Sequence, residues 1–222
     1  MIIRERIQRL LLAALLLLNV SPGQAQDDDL CAPFMDGKVS ESLLATMLSA
    51  AENGDLYRIR TESSRVGFCV GSQLAEIKGI FREFQGGLTL GDDTGNGQTM
   101  VIIRADSIDT KGKLTESIVK GENFFDTENN PEILFVSHGF EWTSRDTAEI
   151  KGDLTLRGIT KPVVFHVQLT AMDGKQDHEF KRILVKATAE LSRSEFGMNA
   201  FSSLVDDSVR LCMSIEAMKY RS

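Results

Sequence analysis

The side chains able to do chemistry in this chain are few and scattered. Its three histidines, His138, His166 and His178, fall on separate segments, and none has a histidine or cysteine partner at metal-ligand spacing. His166 has the outward parity of its strand, the place of a solvated histidine. Asp106 and Asp109 flank Ser107, and two such carboxyls held close would share a proton for acid–base work. At the end of an apolar strand the same residues more commonly cap the following turn. Cys31, Cys69 and Cys212 include no C-x-x-C pair, so a thioredoxin-like redox role has no basis. There is no nucleophile elbow, phosphate loop or dinucleotide fingerprint. The residues point to no catalytic group, no metal site and no cofactor.

What the chain does build is apolar surface. In Ile150–Leu156, the residues Ile150, Gly152, Leu154 and Leu156 alternate with Lys151, Asp153 and Thr155, the period of a strand with one wet face. Gly158 interrupts the alternation, Pro162 follows, and Val163, Phe165, Val167 and Leu169 resume it. The pattern predicts a β-hairpin with a single apolar face. One such hairpin is not stable alone in water and needs more strands over it.

The rest of the chain supplies them. Tyr57–Ser72 carries Val66, Phe68 and Val70 on one face, with Cys69 on the other. Ile77–Leu90 follows, with Phe81 and Phe84 among Gly79, Gly86 and Gly87, glycines that predict bulges or sharp curvature. Met100–Ala105, Glu132–Ser137 with Ile133 and Phe135, Ile183–Leu191 with Val185, and Val209–Ala217 with Met213 read as further strands. Lys113–Asn123 reads as a short helix. That makes about eight strands, so a sandwich or a closed antiparallel barrel. A barrel of eight either fills with side chains or holds one small ligand. Strand parity places Val66, Phe68, Phe81, Phe135, Ile150, Leu154, Phe165, Val185 and Met213 inside it.

Ahead of the strands come two segments of different character. Arg4, Arg6 and Arg9 precede the apolar run Leu10–Leu18, and small residues at Ser21, Gly23 and Ala25 follow, the plan of a secretory signal peptide spanning residues 1–25. Residues 26–56 form an extension with a helix near 40–52, started at Ser40 and stopped at Asn53-Gly54. That helix is read as packing against a barrel, with a lid over a ligand mouth as the alternative. The formal charge of −7 becomes −9 once three arginines and Glu5 leave with the signal, which argues against nucleic-acid binding. An exported chain meets an oxidising compartment, so its three cysteines predict one disulfide and one spare thiol. Cys69 and Cys212 would bond directly if the first and last strands are neighbours. Cys31 as one partner is favoured, because a tail without a strand partner gains most from a staple.

Five motifs, ADSIDT (105–110), NFFD (123–126), NPEILFVS (130–137), GDLTLRGITKPV (152–163) and SRSEFGM (192–198), recur here in the order they have in YceI-like proteins. The resemblance covers about residues 57–218. It implies a lipocalin-like antiparallel barrel in the bacterial periplasm whose tunnel holds an isoprenoid lipid, a prenylquinone or polyprenyl phosphate. The nine inward residues would then be tunnel wall. Binding would rest on burial, at roughly 0.8 kcal/mol per CH₂. A membrane b-type cytochrome, which some relatives accompany, and a second copy in a homodimer are the protein partners the resemblance raises. An enzyme acting on an apolar substrate is the alternative. Ser63-Ser64 stands where relatives often have His-Ser. Thr115-Glu116 and Ile118 stand where they often have Arg-Asp and a nearby histidine, departures that bear on the head group.

Overall fold

Period-2 alternation carries the chain through eleven strand segments. The structure, a computed structural model, describes residues 41–53, 55–90, 97–172 and 181–220. Residues 1–25, read as a signal peptide, and Cys31 and His178 lie outside them. The strands are β1 (Leu56–Ile59), β2 (Arg65–Ser72), β3 (Ile77–Phe81), β4 (Phe84–Thr89), β5 (Gln98–Arg104), β6 (Ile108–Thr110), β7 (Glu132–Trp142), β8 (Thr147–Leu156), β9 (Ile159–Ala171), β10 (Arg182–Ser192) and β11 (Val205–Lys219). Among the described residues two α-helices accompany them, α1 (Glu41–Glu52) and α2 (Lys113–Lys120).

The first six segments are three long staves, each broken once. β1 and β4 pair as β2 and β3 do, while β4 pairs with β5 and β3 with β6. With β7 to β11 they make eight staves, antiparallel to their neighbours throughout. Both β1 and β2 pair with β11, so the ring closes and leaves few bare edges. The closed eight-stranded barrel read from the sequence is what the chain forms.

The breaks are stitched by polar groups rather than left open. Between β1 and β2, the Glu216 amide donates to the Ser64 hydroxyl at 2.9 Å and the Arg60 amide to the Glu216 carbonyl at 2.9 Å. Between the next staves, the Glu83 amide donates to the Ser107 hydroxyl at 3.1 Å, and that hydroxyl donates to the Arg104 carbonyl at 2.6 Å. Asp106 and Asp109 are not a proton-sharing pair. Each faces an arginine, Arg104 at 3.3 Å and Arg82 at 2.5 Å, and the Arg104 guanidinium holds the Asp106 carboxyl below its usual range. His166 is exposed, 3.5 Å from Glu149 on the outer surface.

The β8–β9 hairpin turns on Arg157-Gly158, with φ of +55° and +71°, both left-handed as the tight two-residue hairpin requires. Pro162 lies in the part of β9 that β10 does not reach, since their pairing runs from His166 to Ala171. The glycines of the second stave do not make bulges. The register shifts fall at Ser137–Gly139 in β7 and Val205–Val209 in β11. Gly79 serves close packing instead: a Cβ there would come within 2.4 Å of the Phe68 ring.

α1 lies outside the barrel. Met47 and Ala51 pack on Leu56, Met100, Ile102 and Leu134, residues of opposite parity to those facing the interior. The helix is a patch over an apolar stretch of outer wall, and the lid alternative is overturned. Met47 is 2 % exposed. Met47→Ala is expected to cost about 2 kcal/mol, the low end of buried truncations because the helix sits at the surface. Affinity for anything held inside the barrel should not change. Denaturant melts paired with ligand titration would check both.

Candidate functional site

Inside the barrel, inward side chains fill one end and leave a cavity at the other. Phe140, Ile183 and Ala217, each 2 % exposed or less, are buried in the filled end. Ile150 and Val185 belong to this packed half: both are buried, and neither borders the cavity. Val66, Phe68, Phe81, Phe135, Leu154, Phe165 and Met213 do border it. Its volume is about 320 Å³, at the lower end of small-molecule sites, which run from about 300 to 1,000 Å³.

The wall is aromatic where staves meet. Phe135 and Phe165 stand edge to face, centroids 4.9 Å apart at 80°. Phe68 and Phe81 both meet Phe125, at 5.5 and 5.7 Å. Such geometry fixes ring orientation beyond simple area burial. Phe125 comes from the connection between β6 and β7, which folds over the cavity after α2. This connection is latched by Arg157, whose guanidinium donates to the Glu122 carbonyl at 2.8 Å and to the Phe124 carbonyl. Asp126, at φ +48°, takes amide hydrogen bonds from Asn129 at 2.9 Å and Asn130 at 3.0 Å. The NFFD motif thus supplies a roof and the turn that holds it.

A second connection, β10 to β11, forms the opposite side of the mouth. Phe201, at φ +54°, stacks on Phe124 with centroids 6.0 Å apart and planes 11° apart, so the two connections meet over the cavity. Arg193 is 3 % exposed and borders the cavity, yet its guanidinium is spent on backbone. It donates to the carbonyls of Asp206 at 2.9 Å, Ala200 at 2.9 Å and Val205 at 3.0 Å, and to that of Met198. Ser72, Thr115 and Arg193 are the polar side chains on an otherwise apolar wall. Arg193 escapes a reading by strand parity because it follows the last inward position of β10, where the strand has ended in a 3₁₀ turn. Its signal in the sequence was the SRSEFGM motif itself.

Asp207 ties the same connection from outside. Its carboxylate accepts the Ser194 amide at 2.9 Å and the Ser194 hydroxyl at 2.9 Å, bonds that hold its pKa below the ordinary 3.8. A depressed carboxylate stabilises the fold above the unfolded value and loses that contribution as pH falls through the folded one. Protection of the Ser194 amide from exchange should therefore persist down to the ordinary aspartate range and vanish only below it. In Asp207→Asn it should be weaker and independent of pH through that window. Amide exchange followed along an acid titration reads both.

Cys69 and Cys212 are not bonded to each other. Both strands neighbour each other, but Cys69 faces Arg210 and Cys212 faces Gly67, which sets the thiols on a diagonal. Diagonal Cα spacing is about 7–8 Å, beyond the roughly 4.4–6.8 Å between the Cα atoms of a disulfide. The direct bond is not formed. Burial pushes the Cys69 thiol up, away from ready ionisation.

Comparison with known proteins agrees with this architecture. The family model described as YceI-like domain matches residues 57–217. A UPF0312 protein of Pseudomonas putida (strain W619) is 27% identical over 146 residues, covering 65% of this chain and 75% of its own. The crystal structure of BcnA from Burkholderia cenocepacia superposes with a TM-score of 0.65 at 20% identity, over 72% of this chain and 99% of that one. A polyisoprenoid binding domain from Saccharophagus degradans, implicated in plant cell wall breakdown, superposes with a TM-score of 0.56 at 11% identity, over 73% and 98%.

Proposed function

The chain belongs to the YceI-like family, and from that premise we propose that it is an exported, periplasmic binder or carrier of a prenyl lipid. The observation that carries the reading is the apolar cavity of about 320 Å³, open at one end of an otherwise packed barrel. Each buried CH₂ of a guest contributes roughly 0.8 kcal/mol without any directional bond. A membrane-resident chain gives up similar burial when it leaves the bilayer, so the cavity acts as a replacement solvent. The fold shared with a domain described as polyisoprenoid binding supports the same class of guest.

The head group is read as neutral, a prenylquinone rather than a polyprenyl phosphate. A phosphate needs unspent donors, and the cation on the wall, Arg193, has committed its guanidinium to four carbonyls. Thr115 and Ile118, where relatives often carry charged residues and a histidine, add no cation.

Lipid extracted from protein purified without detergent from its native membranes should contain an isoprenoid by mass spectrometry. A short-chain prenylquinone titrated into the emptied protein should bind, and a prenyl phosphate of equal length more weakly. Protein that carries no isoprenoid and binds neither probe defeats the reading. Intact mass of the same material should show a chain starting at Gln26 with one disulfide that includes Cys31. A retained Leu10–Leu18 segment, or three free thiols on peptide mapping, would contradict those two points.

A further inference from the structure

Large apolar side chains that stand in water are not spread evenly over this barrel. Among the described residues there are eight, and five of them, Leu74, Leu114, Ile118, Phe201 and Leu204, gather at the mouth end. They come from three separate connections: the β2–β3 turn, α2, and the β10–β11 segment. Leu74 is 97 % exposed and Leu114 76 %. Leu114 and Ile118 are four apart and share one face of α2, while Val119 on the adjoining face turns into the cavity.

Four of the five also border the cavity: Leu74, Ile118, Phe201 and Leu204. The apolar lining therefore continues from the interior onto the outer rim, with Ser72, Thr115 and Arg193 as the polar side chains along it. A rim of this kind has no use in water, where such patches mark interaction sites. Charge does not identify the partner. The acidic groups Glu76, Asp109 and Glu116 near this end are paired with Lys78, Arg82 and Lys120. Across residues 111–130 three lysines stand against four acidic residues, and the whole chain is acidic.

We propose that the mouth rim docks on the surface of a lipid bilayer, held by apolar insertion and not by charge. Leu74, Leu114, Ile118, Phe201 and Leu204 would sit at the headgroup–acyl boundary, as the apolar face of an interfacial element does. The bilayer as partner rests on the prenyl-lipid reading: a guest drawn from acyl chains into the cavity along an apolar path never crosses water. The cavity is small for a long chain, so docking also lets the remainder of the chain stay in the membrane during entry.

Flotation of the mature protein with vesicles of neutral phosphatidylcholine tests the idea. Wild type should float, and adding anionic lipid should not strengthen it. Leu114→Asp, on an exposed side chain that does not border the cavity, should float about tenfold less, the scale expected when an interfacial leucine becomes a charge. Its affinity for a short-chain prenylquinone in vesicle-free buffer should stay unchanged. Leu154→Trp, which fills the cavity, should lose the quinone and float as wild type does. Wild type that stays with the pellet, or Leu114→Asp that floats equally well, overturns the proposal. So does a wild-type dimer that Leu114→Asp splits, which would make the rim a contact between copies. Protein that floats yet binds no prenyl probe would instead strike the carrier reading and leave the docking surface standing.

Discussion

Phe135→Asp should abolish prenyl-lipid binding while Gln168→Asp leaves it intact. Phe135 borders the cavity and is buried against Phe165. A carboxylate there would face an alkyl chain with neither water nor a partner, and would either ionise at great cost or take up a proton. The Phe→Ala part of the change alone costs about 3–5 kcal/mol, in a domain whose whole stability is about 5–15 kcal/mol. Loss of binding is therefore informative only if circular dichroism and melting show a folded barrel. Phe135→Leu keeps the wall apolar and separates the two effects: it should lose about 1–2 kcal/mol of stability and still bind. Gln168 points outward from β9, so its aspartate variant should stay within about 0.5 kcal/mol of wild type. A folded Phe135→Asp that binds a short-chain prenylquinone at wild-type affinity would place the guest elsewhere.

The same residue shows what strand alternation reveals and what it hides. Period-2 patterning gave each stave its inner face, and the hairpin from Ile150 to Leu169 has the parity read from its residues. Parity assigns a face but not a height along the barrel axis. Leu154 and Ile150 share a face of β8, four residues apart, yet one borders the cavity and the other is packed in the closed half. Val185 is hidden in the same way. Height depends on how far each stave is staggered against its neighbours, and stagger is set by pairings between distant segments. The cysteine geometry fails to show for a related reason. Whether Cys69 and Cys212 are opposite or diagonal is a two-residue shift of register between strands some 140 residues apart, and such a shift keeps the parity, so no local pattern records it. α1 shows a third limit. Met100, Ile102 and Leu134 are apolar on the outward face, so β5 and β7 read as apolar on both sides. Only the packed helix explains why the outer side is apolar too.

Arg193→Met should be the most damaging single change at the mouth, and Arg193→Lys should rescue little of it. The guanidinium gathers four carbonyls, from Met198, Ala200, Val205 and Asp206, and so ties the whole β10–β11 connection to the end of β10. Replacing an ion pair with apolar residues can be harmless because both charges leave together. Here the acceptors are main-chain carbonyls that no side-chain substitution removes, so methionine fills the space and leaves them unsatisfied. Some will find water at the mouth, so the loss falls short of four full hydrogen bonds. About 3–5 kcal/mol is the expected total, the scale of stripping one member from a buried charged network. Lysine keeps the charge but concentrates its donors on one atom, and cannot reach carbonyls arrayed around a planar fork. Denaturant melts should show the loss, and amide exchange should place it between Ser194 and Asp207, with Phe201 released from Phe124. Dissociation of a bound prenylquinone should quicken as that side of the mouth loosens. A methionine variant within about 1 kcal/mol of wild type, with exchange unchanged in this segment, would mean the connection is held by its apolar contacts and the arginine is spare.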